Sequence, residues 1–210
     1  FDHNGAGYLF LMCPGLFGRD GIYGDKYGDF GDNHIRYAVL SRAAFAVATG
    51  LWRPDIFHCH DWQGALVPIY QRTTFANDPA FSGIKSVLTI HNLGYQGRFN
   101  ARLVAETGLI PAMVMHPEGA EYFGDVNFLK GGIVYSDFIT TVSPRYAQEI
   151  QTAEYGFGLD GLLRSRSYKL SGIVNGVDYS EWNPDHDAYI PAHYSVGDLG
   201  GKLVCKQRLL

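Results

Sequence analysis

Positive charge is in short supply. Lys and Arg number 17 against 21 Asp and Glu, a formal net charge of −4. No basic footprint is left to attract nucleic acid or an anionic membrane surface, so neither partner is expected. No apolar run approaches the roughly 20 residues that a membrane helix needs. Cysteine is scarce and odd in number. Cys13 and Cys59 sit in apolar runs and read as buried free thiols, and Cys205 stands apart. That pattern suits a reducing compartment, and a cytoplasmic location is expected. There is no Gly-x-Gly-x-x-Gly after a strand and no Walker loop, which argues against a dinucleotide fold of the usual kind. Ser82-Gly83 and Ser143-Pro144 are not on a Gly-x-Ser-x-Gly elbow, which weakens a serine hydrolase. No internal repeat and no signal-peptide pattern occur. The chain opens on Phe1 rather than Met and stops at Leu209-Leu210, inside an amphipathic helix beginning near Leu199. Both ends read as cut, so an internal piece of a longer protein is expected.

What is present is apolar mass, 46% hydrophobic, with 26 glycines and 14% aromatics over 210 residues. That supports one sizeable core. The most informative stretch is Ser86 to Gly97. Ser86–Ile90 is a short β-branched apolar run, a buried strand. At His91-Asn92 it turns polar, and Tyr95-Gln96 is bracketed by Gly94 and Gly97. A buried strand ending in this way resembles the carboxyl edge of an open parallel sheet, where ligands bind. Other strands are expected at Tyr8–Cys13, Asp55–Cys59, Asp137–Val142 and Leu170–Val174. Between them fall a long loop over 18–31 and helices over 33–50, 64–73, 125–136 and 144–151. The first helix is expected to be capped by Asp32 or Asn33 and to bury Ile35, Val39, Ala43, Ala46 and Val47. Ser143 caps the last, with Pro144 in its first turn. Gly131-Gly132 reads as a close-packing site. Alternating strands and helices predict an α/β fold, a parallel sheet with helices on both faces. Three strands end alike, at His60-Asp61-Trp62, His91-Asn92 and Asn175-Gly176, which predicts a cleft on one edge.

Two chemistries fit those residues. His58, His60, Asp61 and His91 could converge on a metal that activates water, although the neighbouring strand ends bring no further carboxylate ligands. Sugar recognition fits more of the set. Asp61, His91, Asn92 and Asn175 supply directional hydrogen bonds, and Trp62, Tyr95 and Tyr27 supply flat faces for pyranose rings.

Several motifs, in order, then resemble one family. They are Asp20-Gly21-Ile22-Tyr23-Gly24, Trp52 to Trp62, Thr89 to Gly97, Phe128-Leu129-Lys130-Gly131-Gly132, Thr140 to Pro144, Tyr155 to Gly161, and Ile173 to Asp178 followed by Trp182-Asn183-Pro184. The chain resembles bacterial glycogen synthases and plant starch synthases over essentially its full length. The resemblance implies a GT-B fold of two Rossmann-like domains. It implies transfer of glucose from ADP-glucose to the non-reducing end of an α-1,4-glucan such as glycogen, with retention and with no metal or cofactor. It makes His91 the catalytic-centre residue, with Asn92 and Asn175 in the same pocket and Asp61 and Trp62 in the acceptor channel; Tyr95 is expected to bind substrate through its flat face. Residues 1–184 would be most of the acceptor-side domain. Residues 185–210 would be a linker and the first helix of the nucleotide-sugar domain. The family's Lys-Thr-Gly-Gly loop and second-domain Arg, Lys and Glu are not in this sequence, so the chain alone is expected to be inactive. Gln63 stands where the family commonly has His. Two alternatives are a glucan-binding or regulatory relative without catalysis, and a GT-B transferase using another nucleotide-sugar.

Overall fold

A computed structural model describes residues 2–3 and 5–210, with two compact units, 1–173 and 174–210. The expected parallel sheet is the centre of the first. It has four strands, β1 (Ile56–His60), β2 (Lys85–Ile90), β3 (Phe138–Thr141) and β4 (Leu170–Gly172), in spatial order β4-β3-β2-β1. All three pairings are parallel, with Cys59 opposite Leu88 and Ile139 opposite Leu88 and Leu170. Parallel neighbours need a crossover, and helices fill it each time. The helices are α1 (Asn33–Gly50) before β1, then α2 (Asp61–Gly64) and α3 (Leu66–Arg72). After β2 come α4 (Phe128–Tyr135), then α5 (Pro144–Glu149) and α6 (Asp160–Ser165). Leu66, Ile69, Leu88, Ile90, Phe128, Leu129 and Ile133 are fully buried where the helices meet the sheet. On edge strand β1 the alternation is complete: Phe57 and Cys59 are buried, and Ile56, His58 and His60 are exposed.

Glycine brings α4 close to its neighbours. A Cβ on Gly132 would stand 2.7 Å from Ala65 Cβ and 3.0 Å from Leu88 Cδ2, the close packing expected of Gly131-Gly132. Ser143 caps α5 as expected, its hydroxyl accepting from the Tyr146 N–H at 2.9 Å.

Several expectations are corrected. Residues 8–13 form no strand, and Leu9, Phe10 and Met12 are exposed. Apolarity does not make a strand without a ladder partner, and β1 ends the sheet with none beyond it among the described residues. Asp32 takes the N-cap position of α1, but its carboxylate is engaged elsewhere. It accepts two hydrogen bonds from Arg19, at 2.7 and 2.6 Å, and that pairing holds its pKa below the usual carboxylate range. The buried face of α1 is Tyr37, Ala38, Ser41, Phe45 and Ala48 rather than the aliphatic set. Large aromatics fix the rotation: Phe45 lies 4.5 to 5.2 Å from the rings of Phe57, Phe75 and Phe81. Residues 125–127 pair with 98–100 as an antiparallel strand, so the following helix starts only at Phe128.

The second unit, described by itself, is mostly turns. It ends in helix α7 (Gly200–Leu209). No helix among the described residues is long and apolar enough to cross a membrane.

Candidate active site

The site is built where β1 and β2 end. β1 stops at His60, and Asp61 turns the chain into α2 with φ +50, a left-handed conformation uncommon for a side-chain-bearing residue. The turn aims the Asp61 carboxylate across to the next strand. Asp61 Oδ1 accepts the His91 backbone N–H at 2.7 Å. The two polar strand ends are thus tied together through the first residue past each strand. Beside this tie, His60 Nδ1 and His91 Nε2 are 3.0 Å apart.

The loop after His91 is held as firmly. Asn92 Oδ1 accepts the Gly94 N–H at 2.9 Å, an Asx turn, which leaves its amide nitrogen as the part able to meet a ligand. The Leu93 N–H donates to the Tyr146 hydroxyl at 3.0 Å, pinning the loop to α5. The carbonyls of Gln96 and Gly97 accept the N–H groups of Leu129 and Phe128, both at 3.1 Å. Those are two of the N–H groups that the first turn of α4 cannot satisfy internally. Gln96 is buried and bridges three elements. Its amide donates to the carbonyls of Leu93 (3.2 Å) and Phe157 (3.1 Å), and its Oε1 accepts from Asn127 at 2.7 Å.

These elements surround a cleft of about 720 Å³ within the first unit. Four of the six expected site residues line it: Asp61, Trp62, Asn92 and Tyr95. His91 is exposed at the end of β2 between Asp61 and Asn92 and is not among the lining residues. Asn175 belongs to the second unit, is exposed, and follows a β4 that ends three residues earlier, at Gly172. Tyr95 is 68% exposed and available as a flat face. Trp62 is 8% exposed, its ring packed edge-on against Tyr37 at 4.7 Å, so it shapes the wall more than it offers a face. Tyr27 is at the tip of the 24–29 hairpin, 85% exposed, and does not line the cleft; Tyr23 does.

Sequence reasoning missed Gln96 and Phe157 as residues of the site. Phe157 lines the cleft with φ +47, its carbonyl also accepting from the Tyr122 hydroxyl at 3.3 Å. The glycines on either side of it, Gly156 and Gly158, were the available signal. Among the described residues Arg98 is the one Lys or Arg on the wall, and it is paired with Asp125 at 3.2 Å. Among the described residues no group of three or more His, Cys, Asp or Glu has the arrangement of a metal site. The nitrogens of His60 and His91 are turned to each other rather than to a common centre. Burial, with His58 and His91 alongside, holds the His60 pKa below its ordinary value, and Asp61 opposes that shift.

Comparison with known proteins agrees with this geometry. Residues 1–165 match the family model described as the starch synthase catalytic domain. The glycogen synthase of Koribacter versatilis is 51% identical over 207 residues, covering 99% of this chain and 43% of that protein. That of Myxococcus xanthus is 52% identical over 204 residues, covering 96% and 43%. Among solved structures, the catalytic domain of starch synthase IV from Arabidopsis thaliana, bound to ADP and acarbose, superposes with a TM-score of 0.68. It is 36% identical, and the match covers 88% of this chain and 38% of that one. The chain therefore spans less than half the length of the curated relatives that it matches. The parallel sheet with its flanking helices is the Rossmann-like layer of a GT-B fold. The chain belongs to the starch synthase catalytic domain family.

Proposed function

We propose that this chain is the acceptor-side part of a glucan synthase. The complete protein would transfer glucose from ADP-glucose to the non-reducing end of an α-1,4-glucan, with retention. The observation that carries the reading is the tie between the two strand ends. Asp61 fixes the His91 backbone beside a polar, aromatic-walled cleft wide enough for sugar rings. The relatives named glycogen synthase and the ADP and acarbose of the starch synthase IV structure support the substrate classes.

In this reading His91 is the catalytic-centre residue. Cleaving the bond from sugar to nucleotide builds oxocarbenium character on the glucose. The His91 ring holds a hydroxyl of that glucose, and its backbone carbonyl faces the developing positive charge. Asn92 contributes its amide donors to the same pocket. Asp61, Trp62 and Tyr95 shape the acceptor side. The leaving phosphate needs cations. Among the described residues the one Lys or Arg on this wall, Arg98, is paired with Asp125, so in this reading the cations come from outside this wall. Residues 185–210 would lead into that second domain. A cytoplasmic location belongs to the same reading.

The test is incorporation of labelled glucose from ADP-glucose into glycogen by the complete protein, with the anomeric configuration of the new linkage read by NMR. His91→Ala should lose about 2–4 kcal/mol of transition-state stabilisation, at least thirtyfold in rate. Near-normal turnover would remove His91 from the mechanism. Glucan binding with no turnover by the unmutated complete protein would favour a non-catalytic relative. Turnover only with another nucleotide-sugar would reassign the donor. The 210-residue chain alone should give no turnover.

A further inference from the structure

Next to His91 stands a second imidazole that the proposed transfer does not use. His60 is the last residue of β1, and its Nδ1 lies 3.0 Å from His91 Nε2. Two neutral imidazoles in that contact share one proton: one nitrogen donates and the other accepts. The contact therefore couples the tautomers of the two rings: whichever nitrogen carries the shared proton decides whether His91 Nδ1 presents a proton or a lone pair. It also restrains rotation of the ring.

His60 is itself held from behind. Its ring stacks on His58 at 4.5 Å. His58 Nε2 is 2.6 Å from Thr89 Oγ1, and Thr89 Oγ1 is 2.6 Å from Thr140 Oγ1. Both threonines are buried, on the two central strands. A line of contacts thus runs from the middle of the sheet to His91 through side chains alone. The alternation of β1 creates it, because His58 and His60 share a face.

We propose that His60 is a positioning residue for His91: it fixes one tautomer and one ring rotation, so that the same nitrogen is always offered to the sugar. The catalytic half of this statement rests on the proposed transfer; the pairing itself does not. The titratable groups around His60 are His58 on its own strand, His91 at the end of β2 and Asp61 at the head of α2. Partial desolvation, with His58 and His91 alongside, lowers the His60 pKa, the direction that favours the neutral ring. If both rings were protonated, the contact would have two donors and no acceptor.

Two measurements decide it. In the ¹⁵N-labelled 210-residue chain, long-range ¹H–¹⁵N spectra of the histidine rings report each tautomer. His91 should show one protonated and one bare nitrogen. His60→Ala should move both toward the averaged values of a freely exchanging ring. His60→Asn, whose amide reaches the place of Nδ1, should restore the fixed pattern, and His60→Gln, of similar size but longer reach, should not. An averaged His91 in the unmutated chain overturns the proposal. So does a pattern unchanged in His60→Ala, or equal behaviour of Asn and Gln. The signals of His34 and His116, far along the chain, check that each variant is folded. In the complete protein, His60→Ala and His60→Gln should lower kcat by about 10- to 100-fold with the KM for glucan little changed, and His60→Asn should recover most of the loss. If kcat survives while the tautomer is lost, the positioning role is refuted. Absence of transfer in the unmutated complete protein counts against the transferase reading, and the spectra still decide the pairing.

Discussion

Asp61 combines a strained backbone with a hydrogen bond, and substitution can separate the two. An L-residue held in the left-handed region costs about 1–2 kcal/mol, less for Asp and Asn, and glycine escapes the penalty. The bond from the His91 N–H to the carboxylate is charge-assisted, and such bonds contribute about 1.5–3 kcal/mol when water is excluded. Asp61 is only half-buried, so water replaces part of the bond and about 1 kcal/mol is a fair share. Asp61→Ala loses the bond and adds the difference between the full backbone strain and the smaller one that Asp already bears, for a total of about 1.5–2.5 kcal/mol. Asp61→Gly loses the bond and relieves the strain, so it should lie about 1 kcal/mol above Ala. Asp61→Asn keeps an acceptor and tolerates the conformation, and should stay within about 1 kcal/mol of the parent. Urea unfolding of the 210-residue chain, followed by the fluorescence of buried Trp62, reads the order. With an m-value of about 2 kcal/mol per molar, the Ala midpoint falls by about 1 M. The expected ranking is Asp, Asn, Gly, Ala. Ala as stable as Gly would refute the strain argument, and Asn as damaging as Ala would refute the clamp.

Two further outcomes follow from packing and burial. Gly132→Ala should gain about 1 kcal/mol of helix propensity yet destabilise overall by about 1–2 kcal/mol, because the new Cβ meets Ala65 Cβ and Cα and neither can yield. Ala65→Gly in the same chain should recover part of that loss in a double-mutant cycle, and a Gly132→Ala chain as stable as the parent would refute the close-packing account. Burial pushes the Cys59 thiol up to about 12. At pH 8 roughly one molecule in ten thousand carries the thiolate, so a disulfide reagent should leave Cys59 unmodified until denaturant is added; rapid labelling of Cys59 in the native chain would contradict its burial.

The order of strands and helices was legible in the sequence because it rests on local signals. β-branched runs gave β2 and β3, and Ser143-Pro144 gave the start of α5. What was not legible depends on distant partners. Residues 8–13 have a strand's composition, but a strand exists only as half of a pairing. The buried face of α1 was misplaced because aliphatic spacing was counted, whereas three aromatic rings from outside the helix set its rotation. The site was legible at the strand ends, where polarity changes abruptly after His60 and Ile90. Gln96 and Phe157 were read only as parts of separate glycine-bearing stretches, because they are 61 residues apart and meet through a backbone carbonyl. Trp62 was read as an exposed platform, yet Tyr37, on a helix that precedes it in sequence, covers it.

The hydrogen bonds from the start of α4 to the Gln96 and Gly97 carbonyls have a consequence for timing. A loop that met its ligand as a floppy chain would be ordered at the moment of binding and would give up affinity for that entropy. The 91–97 loop is ordered when the helix forms, because the same carbonyls complete the helix. Its configurational entropy is lost once, during folding, and none remains to be lost at each encounter. This side of the cleft is therefore a stationary wall, ordered before any ligand arrives.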